Sequence, residues 1–262
     1  MIVTNMPNTE YHKSSALSCS GLKQFIKSPA HYKNYMNSQK DSTPTDAMII
    51  GSYTHSLILE PDKMSDYVIA PEGMNFSKKE GIQFKADNSD KQIIKYADHL
   101  TAKIMRDIVW NNSMCKTILS GGVAESSIFW KDEDSGVDCR IRPDIINHDL
   151  QLIIDLKTTI DASPEVFTKQ SWNMDYHLQA SFYQKGVYSE SGMWYDWLFI
   201  AVEKDNPFLQ PVLYKPDTTL LKYADGVICE QLPKFAECQR LDRWDGYPES
   251  IQTLTIPAWV KL

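Results

Sequence analysis

One segment near the middle of the chain combines two acidic residues and a lysine with turn-forming and apolar residues. Arg142-Pro143-Asp144 precedes two isoleucines, Asn147-His148-Asp149 supplies turn formers, and an apolar run leads into Asp155-Leu156-Lys157. Two runs of β-prone apolar residues on either side of a short turn predict a β-hairpin. The hairpin would bring Asp144 and Asp155 together, although they lie eleven residues apart in the sequence.

Alternate residues of a strand face the same side, so Asp155 and Lys157 should face one cleft and Leu156 the core. Two carboxylates can share a hard cation, which polarises a phosphoryl oxygen and activates water, while a cation stabilises the developing charge. The pattern therefore favours a magnesium-dependent phosphodiesterase site. An ordinary hairpin with solvated charged side chains also fits these residues, but the Pro-Asp pair at hairpin distance favours the site.

Composition narrows the class of protein. The 262 residues are 42% hydrophobic, which allows a sizeable core, and no apolar run is long enough to span a bilayer. The N-terminus lacks the pattern of a signal peptide, so we expect a cytoplasmic protein. The five cysteines include no C-x-x-C pair, which argues against disulfides and against a zinc or iron–sulfur site. A net charge of −7 is unusual for a nucleic-acid enzyme, but metal-binding carboxylates count toward this total.

The sequence shows no internal repeat, low-complexity tract or long linker, so we expect one domain over residues 1–262. Residues 1–120 should be mainly helical, and residues 121–262 should form an α/β part with a sheet flanked by helices. Predicted helices cover residues 18–26, 30–37, 45–59, 90–110, 113–119, 176–186 and 218–238, and Pro164 opens another. Predicted strands cover residues 67–69, 121–130, 137–144, 152–156, 194–203 and 210–215. Residues 65–87 should otherwise be loop-rich, and the strands 121–130, 137–144 and 152–156 should form a three-stranded meander.

Four blocks, in the same order, resemble the PD-(D/E)XK nuclease superfamily and, within it, the exonuclease VIII (RecE-type) branch of phage and prophage recombination exonucleases. The blocks are residues 17–22 with the Ser-Pro segment 28–32, the G-x-x-x-H-x-x-L-x-E-P segment 51–61, residues 125–130 through 140–144 to 155–159, and the Q-x-x-x-Y segment 179–183. The resemblance implies a restriction-endonuclease-like α/β core, with a mixed central β-sheet flanked by α-helices and preceded by a helical part.

The resemblance also implies a function. The chain would be a metal-dependent exonuclease that degrades one strand of double-stranded DNA, from the 5′ end, and leaves a 3′ single-stranded tail for recombination by strand annealing. No G-x-x-x-x-G-K-[ST] loop is present, so no ATP site is expected. The implied partners are double-stranded DNA ends, a single-strand annealing protein of the RecT type and further copies of the chain in a homo-oligomeric ring, with no membrane association.

The resemblance assigns roles to individual residues. It implies a metal site made of three side chains and one carbonyl: His55, Asp144, Asp155 and the backbone oxygen of Leu156. Mg²⁺ prefers oxygen ligands and Mn²⁺ tolerates imidazole, so Mn²⁺ should substitute for Mg²⁺. Lys157 would either orient and deprotonate the attacking water or stay charged and stabilise the transition state. Glu125 would be a further catalytic acid that supports the ligands or binds a second metal, although an exposed strand glutamate fits equally well.

Six further residues would contact or orient DNA: Gln179, Tyr183, Arg140, Arg142, Ser20 and Ser28. The glutamine and the tyrosine lie one helical turn apart and therefore face the same side. The two arginines could hold a phosphate or pair with nearby acids. The two serines could bind a phosphate at a helix start or simply cap their helices.

Two alternatives stay open at this point. One is a different nuclease on the same core, either an endonuclease or a CRISPR-associated or RecB-like repair nuclease without an iron–sulfur cluster. The other is a catalytically silent DNA-binding or assembly protein that keeps the fold. The first motif lies close to residue 1, so the chain resembles a nuclease domain alone, which fits a short phage enzyme and an excised domain equally well.

Overall fold

The computed structural model of the protein describes residues 2–4, 6–38, 45–206 and 209–256. Within these ranges the helices are α1 (Asn8–Lys13), α2 (Cys19–Lys27), α3 (Pro29–Ser38), α4 (Asp46–Leu59), α5 (Lys79–Asp87), α6 (Tyr96–Asn111), α7 (Ser113–Leu119), α8 (Pro164–Asn173), α9 (Tyr176–Ser191) and α10 (Thr218–Leu241). The strands are β1 (Ile2–Val3), β2 (Leu17–Ser18), β3 (Tyr67–Ile69), β4 (Gln92–Ile94), β5 (Val123–Ala124), β6 (Ser127–Lys131), β7 (Asp138–Ile141), β8 (Ile145–Asn147), β9 (Leu152–Thr159), β10 (Asp196–Glu203) and β11 (Val212–Tyr214).

The central sheet has five strands in the order β11-β10-β9-β8-β5. The long strands β9 and β10 run parallel, with Asp155 opposite Phe199, and the other neighbours pair antiparallel. A parallel pair needs a crossover, which α8 and α9 provide. The sheet is therefore mixed, as the α/β prediction required.

Helices cover both faces of this sheet because its long strands are apolar on both sides. Along β9, Ile153 packs with Trp197, Phe182 and helix α10, whereas Leu156 on the opposite face packs against α4 and α6. Leu156 is 1% exposed, so the prediction that it faces the core is confirmed. Burying one such large apolar side chain contributes about 1.5–3 kcal/mol.

The predicted three-stranded meander is wrong. β6 and β7 form the expected hairpin around the turn at residues 132–136, with Ile128 opposite Ile141, but they belong to a second, four-stranded sheet in the order β1-β6-β7-β2. The chain leaves this sheet at Arg142 and enters the central sheet at Ile145. Pro143 lies between them, and proline has no N–H to continue a strand ladder, so the strand ends there.

Several elements differ from the prediction because tertiary contacts override local pattern. Gln92–Ile94 is strand β4 instead of the start of a helix, since it pairs in parallel with Tyr67–Ile69. α5 (Lys79–Asp87) forms in a segment that was expected to be loop, and α1, β1 and β2 were not predicted.

Ser18 is the N-cap of α2, because its side chain accepts a hydrogen bond of 3.2 Å from the N–H of Gly21, whereas Ser20 lies inside the helix and does not cap it. The organisation of residues 1–262 as one domain stays a prediction. Among the described residues, no helix combines the length and apolar character that a transmembrane span requires.

Candidate active site

The hairpin of β8 and β9 places its two acids side by side. Ile145 pairs with Ile154 in antiparallel register. Asp144 precedes Ile145 and Asp155 follows Ile154, so both acids lie at the same end of the hairpin. One carboxylate oxygen of Asp144 accepts a hydrogen bond of 2.7 Å from the backbone N–H of Leu156. The hairpin prediction is therefore confirmed, and the two acids belong to one site.

Asp155 and Lys157 lie on the same side of β9. Nζ of Lys157 is 2.6 Å from Oδ2 of Asp155 and 3.2 Å from Oε1 of Gln179. The amide nitrogen of Gln179 donates a hydrogen bond of 2.6 Å to Oδ1 of Asp155. The ammonium group also lies 4.6 Å from the centre of the Tyr176 ring, within cation–π range. These contacts hold the lysine and the acid in one orientation.

Burial and neighbouring charges shift the pKa values in the site. Burial raises the pKa of Asp144 to about 6, against the opposing effect of His55. Burial alone would lower the pKa of Lys157, but the carboxylates of Asp155 and Asp144 outweigh burial, and the pKa is raised. In this arrangement Lys157 is therefore a cation that pairs with the acids.

His55 reaches the same site from α4. Its Nε2 lies 2.6 Å from the carbonyl oxygen of Leu156, and its Nδ1 lies 3.5 Å from Oδ2 of Asp144. The imidazole therefore bridges two of the groups that the sequence assigned to the metal. Gly51, one turn earlier on α4, lines the same cleft, and a Cβ at this position would contact nothing within 4 Å. The absence of a side chain at Gly51 therefore leaves space in the cleft, and no neighbouring atom packs closely against this residue.

The donor set fits a hard divalent cation. Three oxygen donors, from Asp144, Asp155 and the Leu156 carbonyl, meet one imidazole, a combination suited to Mg²⁺ or Mn²⁺. Oδ2 of Asp155 is buried and, beside its ion pair with Lys157, has no hydrogen-bond partner in the described residues. Within the same residues, no three His, Cys, Asp or Glu side chains converge in a closed metal-binding group. The carboxylate of Asp155 contacts Lys157 and Gln179, so it would have to bind a metal ion in addition to these two side chains.

Glu125 joins the two sheets beside Asp144. It has a left-handed backbone conformation, φ 51°, between β5 and β6, and its N–H donates a hydrogen bond of 3.1 Å to the carbonyl of Asp144. Burial, together with the nearby carboxylates of Asp144 and Glu60, raises the pKa of Glu125 to about 8. Its side chain lines the cleft, which has a volume of about 560 Å³, so it is not an ordinary exposed strand glutamate.

Arg140, in β7, and Arg142, just after β7, differ in their contacts. Arg142 lines the cleft, donates to the hydroxyl of Ser127 at 2.9 Å and lies 4.2 Å from the centre of the Tyr11 ring. Arg140 is buried and donates to the backbone carbonyls of Tyr11 and Ser14. Arg142 is therefore the arginine with direct access to a ligand in the cleft, and Arg140 anchors the N-terminal segment.

A second cavity of about 250 Å³ lies next to the acids, and six of its lining residues are Tyr11, Ser20, Glu125, Arg140, Arg142 and Tyr183. Ser20 and Tyr183 thus lie at the site, and the ring of Tyr183 packs edge-on against Trp197. Ser28 lies away from both cavities. Its hydroxyl contacts Nδ1 of His31 at 2.7 Å and accepts the His31 backbone N–H at 3.2 Å, which is the geometry of a helix cap.

Two aromatic residues at the site were not identified from the sequence. Tyr176, under Lys157, lies three residues before Gln179 on α9, so extending the glutamine motif by one helical turn would have found it. Tyr11, under both arginines, lies in α1, whose short polar sequence carries no periodic signal. Only the folded chain brings α1 to β7.

Comparisons with known proteins place this architecture in a family. The family described as "PDDEXK-like domain of unknown function (DUF3799)" matches residues 18–256. The crystal structure of a candidate exonuclease from Eubacterium rectale aligns with a TM-score of 0.66 and 16% identity, over 97% of this chain and 96% of that chain. A phage related exonuclease from Haemophilus somnus 129PT aligns with a TM-score of 0.34 and 12% identity, over 87% and 96% of the chains, which is too weak to support an argument. No curated protein sequence matches the chain.

The family match extends over most of the chain and includes every residue of the site on α4, β8, β9 and α9. The fold agrees with it, because the mixed sheet and flanking helices are shared with the protein from Eubacterium rectale. The chain therefore belongs to the DUF3799 family of PDDEXK-like domains, within the PD-(D/E)XK nuclease superfamily.

Proposed function

We propose that the protein is a metal-dependent, ATP-independent exonuclease that acts on double-stranded DNA in the cytoplasm. The observation that carries this proposal is the grouping of Asp144, Asp155 and Lys157 with His55 at the edge of an open cleft. A fold alone does not define an activity, but this set of groups is suited to one reaction class, phosphodiester hydrolysis.

The proposed metal ligands are Asp144, Asp155, the carbonyl oxygen of Leu156 and His55. When bound, Mg²⁺ or Mn²⁺ would polarise a phosphoryl oxygen and lower the pKa of a water molecule. Asp144 is already oriented for this role, because the N–H of Leu156 donates to one of its oxygens. Gln179 orients Asp155 in the same way through its amide nitrogen.

The remaining residues act on the DNA and on the water. Lys157 orients the attacking water or stabilises the charge that develops on the phosphate, and Gln179 and Tyr176 fix its position. Glu125 supports the ligands from its position beside Asp144 in the cleft. Arg142, together with Ser20, Tyr183 and Arg140 in the adjacent cavity, provides a polar surface for a phosphate group.

The finer features of the proposal rest on resemblance to exonuclease VIII. They are 5′→3′ polarity, 3′ single-stranded tails, a RecT-type annealing partner and a homo-oligomeric ring around DNA. The protein from Eubacterium rectale is described as a candidate exonuclease, which supports exonuclease activity but says nothing of these finer features. A ring would provide processivity without ATP, because a closed assembly stays on its substrate by topology.

One assay tests the activity and its mode. Linear duplex DNA labelled at the 5′ or the 3′ end, and a covalently closed circular duplex, are incubated with protein in Mg²⁺, Mn²⁺ or EDTA. The proposal expects stepwise loss from the ends of linear DNA, an intact circle and no activity in EDTA. Cleavage of the circle at the rate of linear DNA would instead identify an endonuclease. Lys157→Met must abolish activity in both metals, or the site assignment is wrong.

A further inference from the structure

Three aromatic side chains form a cluster on the outer side of the turn between α8 and α9. The rings of Trp172 and His177 are stacked, with centroids 4.7 Å apart and an interplanar angle of 10°. The ring of Tyr223, from α10, lies 5.6 Å from Trp172 and is tilted by 32°. We call this cluster, Trp172, His177 and Tyr223, the aromatic platform.

The platform has a buried base and an exposed top. His177 is 5% exposed, whereas Trp172 is 51% and Tyr223 is 53% exposed. Burial lowers the pKa of His177, so the imidazole under Trp172 is neutral near physiological pH. Two large aromatic rings that are held in place and remain half exposed are typical of a binding surface, since the packing that would otherwise bury them is missing.

Polar and charged side chains border the platform. Trp172 and His177 line a shallow pocket of about 330 Å³ together with Glu165, Thr168, Lys169, Ser171 and Leu220. Lys169 provides a cation beside the rings and Thr168 provides a hydroxyl group, whereas the hydroxyl of Ser171 already donates to the carbonyl oxygen of Thr168. An aromatic surface with a lysine and a hydroxyl group at its edge suits a ligand that combines a flat ring with an anionic backbone.

The platform shares its backbone with the wall of the candidate active site. His177 follows directly after Tyr176, which lines the cleft and lies under Lys157. The turn is also tied to the catalytic strand, because the hydroxyl of Thr159 donates a hydrogen bond of 2.7 Å to Gln170 on α8. The platform therefore begins one residue after the wall of the cleft, so a DNA strand that leaves the cleft past Tyr176 can reach it.

We propose that the aromatic platform binds an unpaired nucleobase of the DNA strand that extends beyond the cleft, by stacking on Trp172 and Tyr223. This inference rests on the proposed function. Every base has a π-face, so stacking binds single strands without sequence preference, whereas the bases of an intact duplex are stacked on each other and are not accessible. Lys169 is placed to contact the neighbouring phosphate.

The test measures binding in EDTA, where no cleavage occurs. The probes are a fluorescein-labelled blunt duplex, the same duplex with a short 3′ or 5′ single-stranded tail, and tailed duplexes with abasic tail positions. Trp172→Ala should raise the Kd for the tailed duplex of at least one polarity by roughly 5- to 30-fold, from the known contribution of base stacking. The Kd for the blunt duplex should change less than twofold, and Trp172→Phe should retain most of the affinity.

The chain offers a matched control for this substitution. Trp194, before β10, is 58% exposed and stacks on Tyr188 with centroids 4.5 Å apart, but it lies at the end of β9 and β10 where the strands begin, away from Lys157. Trp194→Ala should leave the Kd for all probes unchanged. Tyr223→Ala, on the surface of α10, should raise the Kd for the tailed duplex as Trp172→Ala does. It replaces Trp172→Ala in the test if that variant has a lower thermal stability.

The outcomes separate the two proposals. If the wild-type protein degrades linear DNA but both platform variants bind tailed duplexes as it does, the platform inference is wrong and the proposed function stands. The inference is also wrong if the platform variants lose the same affinity for blunt and tailed duplexes, or if they lose affinity for the duplex with abasic tail positions. If the wild-type protein neither binds nor cleaves DNA, both proposals fail.

Discussion

The carboxylate of Asp144 accepts a hydrogen bond from the backbone N–H of Leu156, and the carbonyl of the same Leu156 contacts the imidazole of His55. One residue of β9 therefore positions the acid that directly precedes β8 through its N–H and a histidine from α4 through its carbonyl. This arrangement links three elements in a single site, and the following predictions test it.

Asp144→Asn should abolish metal binding with little effect on the fold. The amide oxygen can still accept the Leu156 N–H, but the site loses one negative charge. We expect Mn²⁺ affinity, measured by isothermal titration calorimetry, and nuclease activity to fall at least about 100-fold. Asp149→Asn is the matched control, because Asp149 is an exposed acid on the turn of the same hairpin. Equal Mn²⁺ affinity in the two variants would remove Asp144 from the ligand set.

Gln179→Leu should lower nuclease activity, because Asp155 and Lys157 lose the side chain that orients them. The variant removes the donor to Asp155 and the acceptor for Lys157, and it leaves a buried carboxylate oxygen without a partner, at a cost of about 1–3 kcal/mol. Gln184→Leu is the control, because Gln184 lies on the same helix and donates to the Tyr195 carbonyl outside the cleft. Both variants should lose stability in urea unfolding, but only Gln179→Leu should lose activity beyond that of the control. Equal activities would show that the amide of Gln179 has no role in the site.

Gly186→Ala should destabilise the protein. A Cβ at this position of α9 would approach Cδ1 of Ile141 to 2.6 Å and Cζ3 of Trp130 to 2.8 Å, so the helix would have to move away from the four-stranded sheet. Overpacking of this kind costs about 1–3 kcal/mol.

Gly226→Ala is the opposite case. A Cβ at Gly226, within α10, would meet nothing within 4 Å. Alanine has the higher helix propensity, so this substitution should stabilise the protein by about 0.5–1 kcal/mol. Urea unfolding of both variants measures the two effects, and a destabilised Gly226→Ala together with an unchanged Gly186→Ala would contradict the packing described for α9.

His177→Phe should make stability less dependent on pH on the acid side. Burial lowers the pKa of His177 below its ordinary 6.5, so the folded state holds the neutral ring and the unfolded state takes up a proton first. The associated stability is therefore present above about pH 6.5 and is lost as the pH falls through the lower folded pKa. The free energy of unfolding, measured at pH 7.5 and pH 5.5, should fall less in His177→Phe than in the wild type. An identical fall would mean that His177 is not held neutral.

Local features of the sequence were sufficient to predict the hairpin that brings Asp144, Asp155 and Lys157 together. The turn formers at residues 147–149, the apolar runs beside them and the alternation of Asp155 and Lys157 all act within sixteen residues, from Arg142 to Lys157. Over such a distance, strand pairing follows from turn chemistry and from the period of two, so the prediction was correct. The helices α2 and α4 were predicted from the local spacing of their apolar residues, and in the structure the side chains of Ser18 and Thr45 cap them.

The assignment of strands to sheets and the positions of the other site residues depend on contacts between segments that are far apart in the sequence. Pro143 marks the break between β7 and β8 in the sequence, but nothing local assigns each strand to its sheet, because that choice depends on which partners complete each ladder. His55 lies 101 residues before Leu156, and its position at the acids follows from the packing of α4 on the central sheet. Tyr11, Tyr176 and the aromatic platform likewise acquire their neighbours through packing, since non-local contacts depend on the whole fold and carry no local signal.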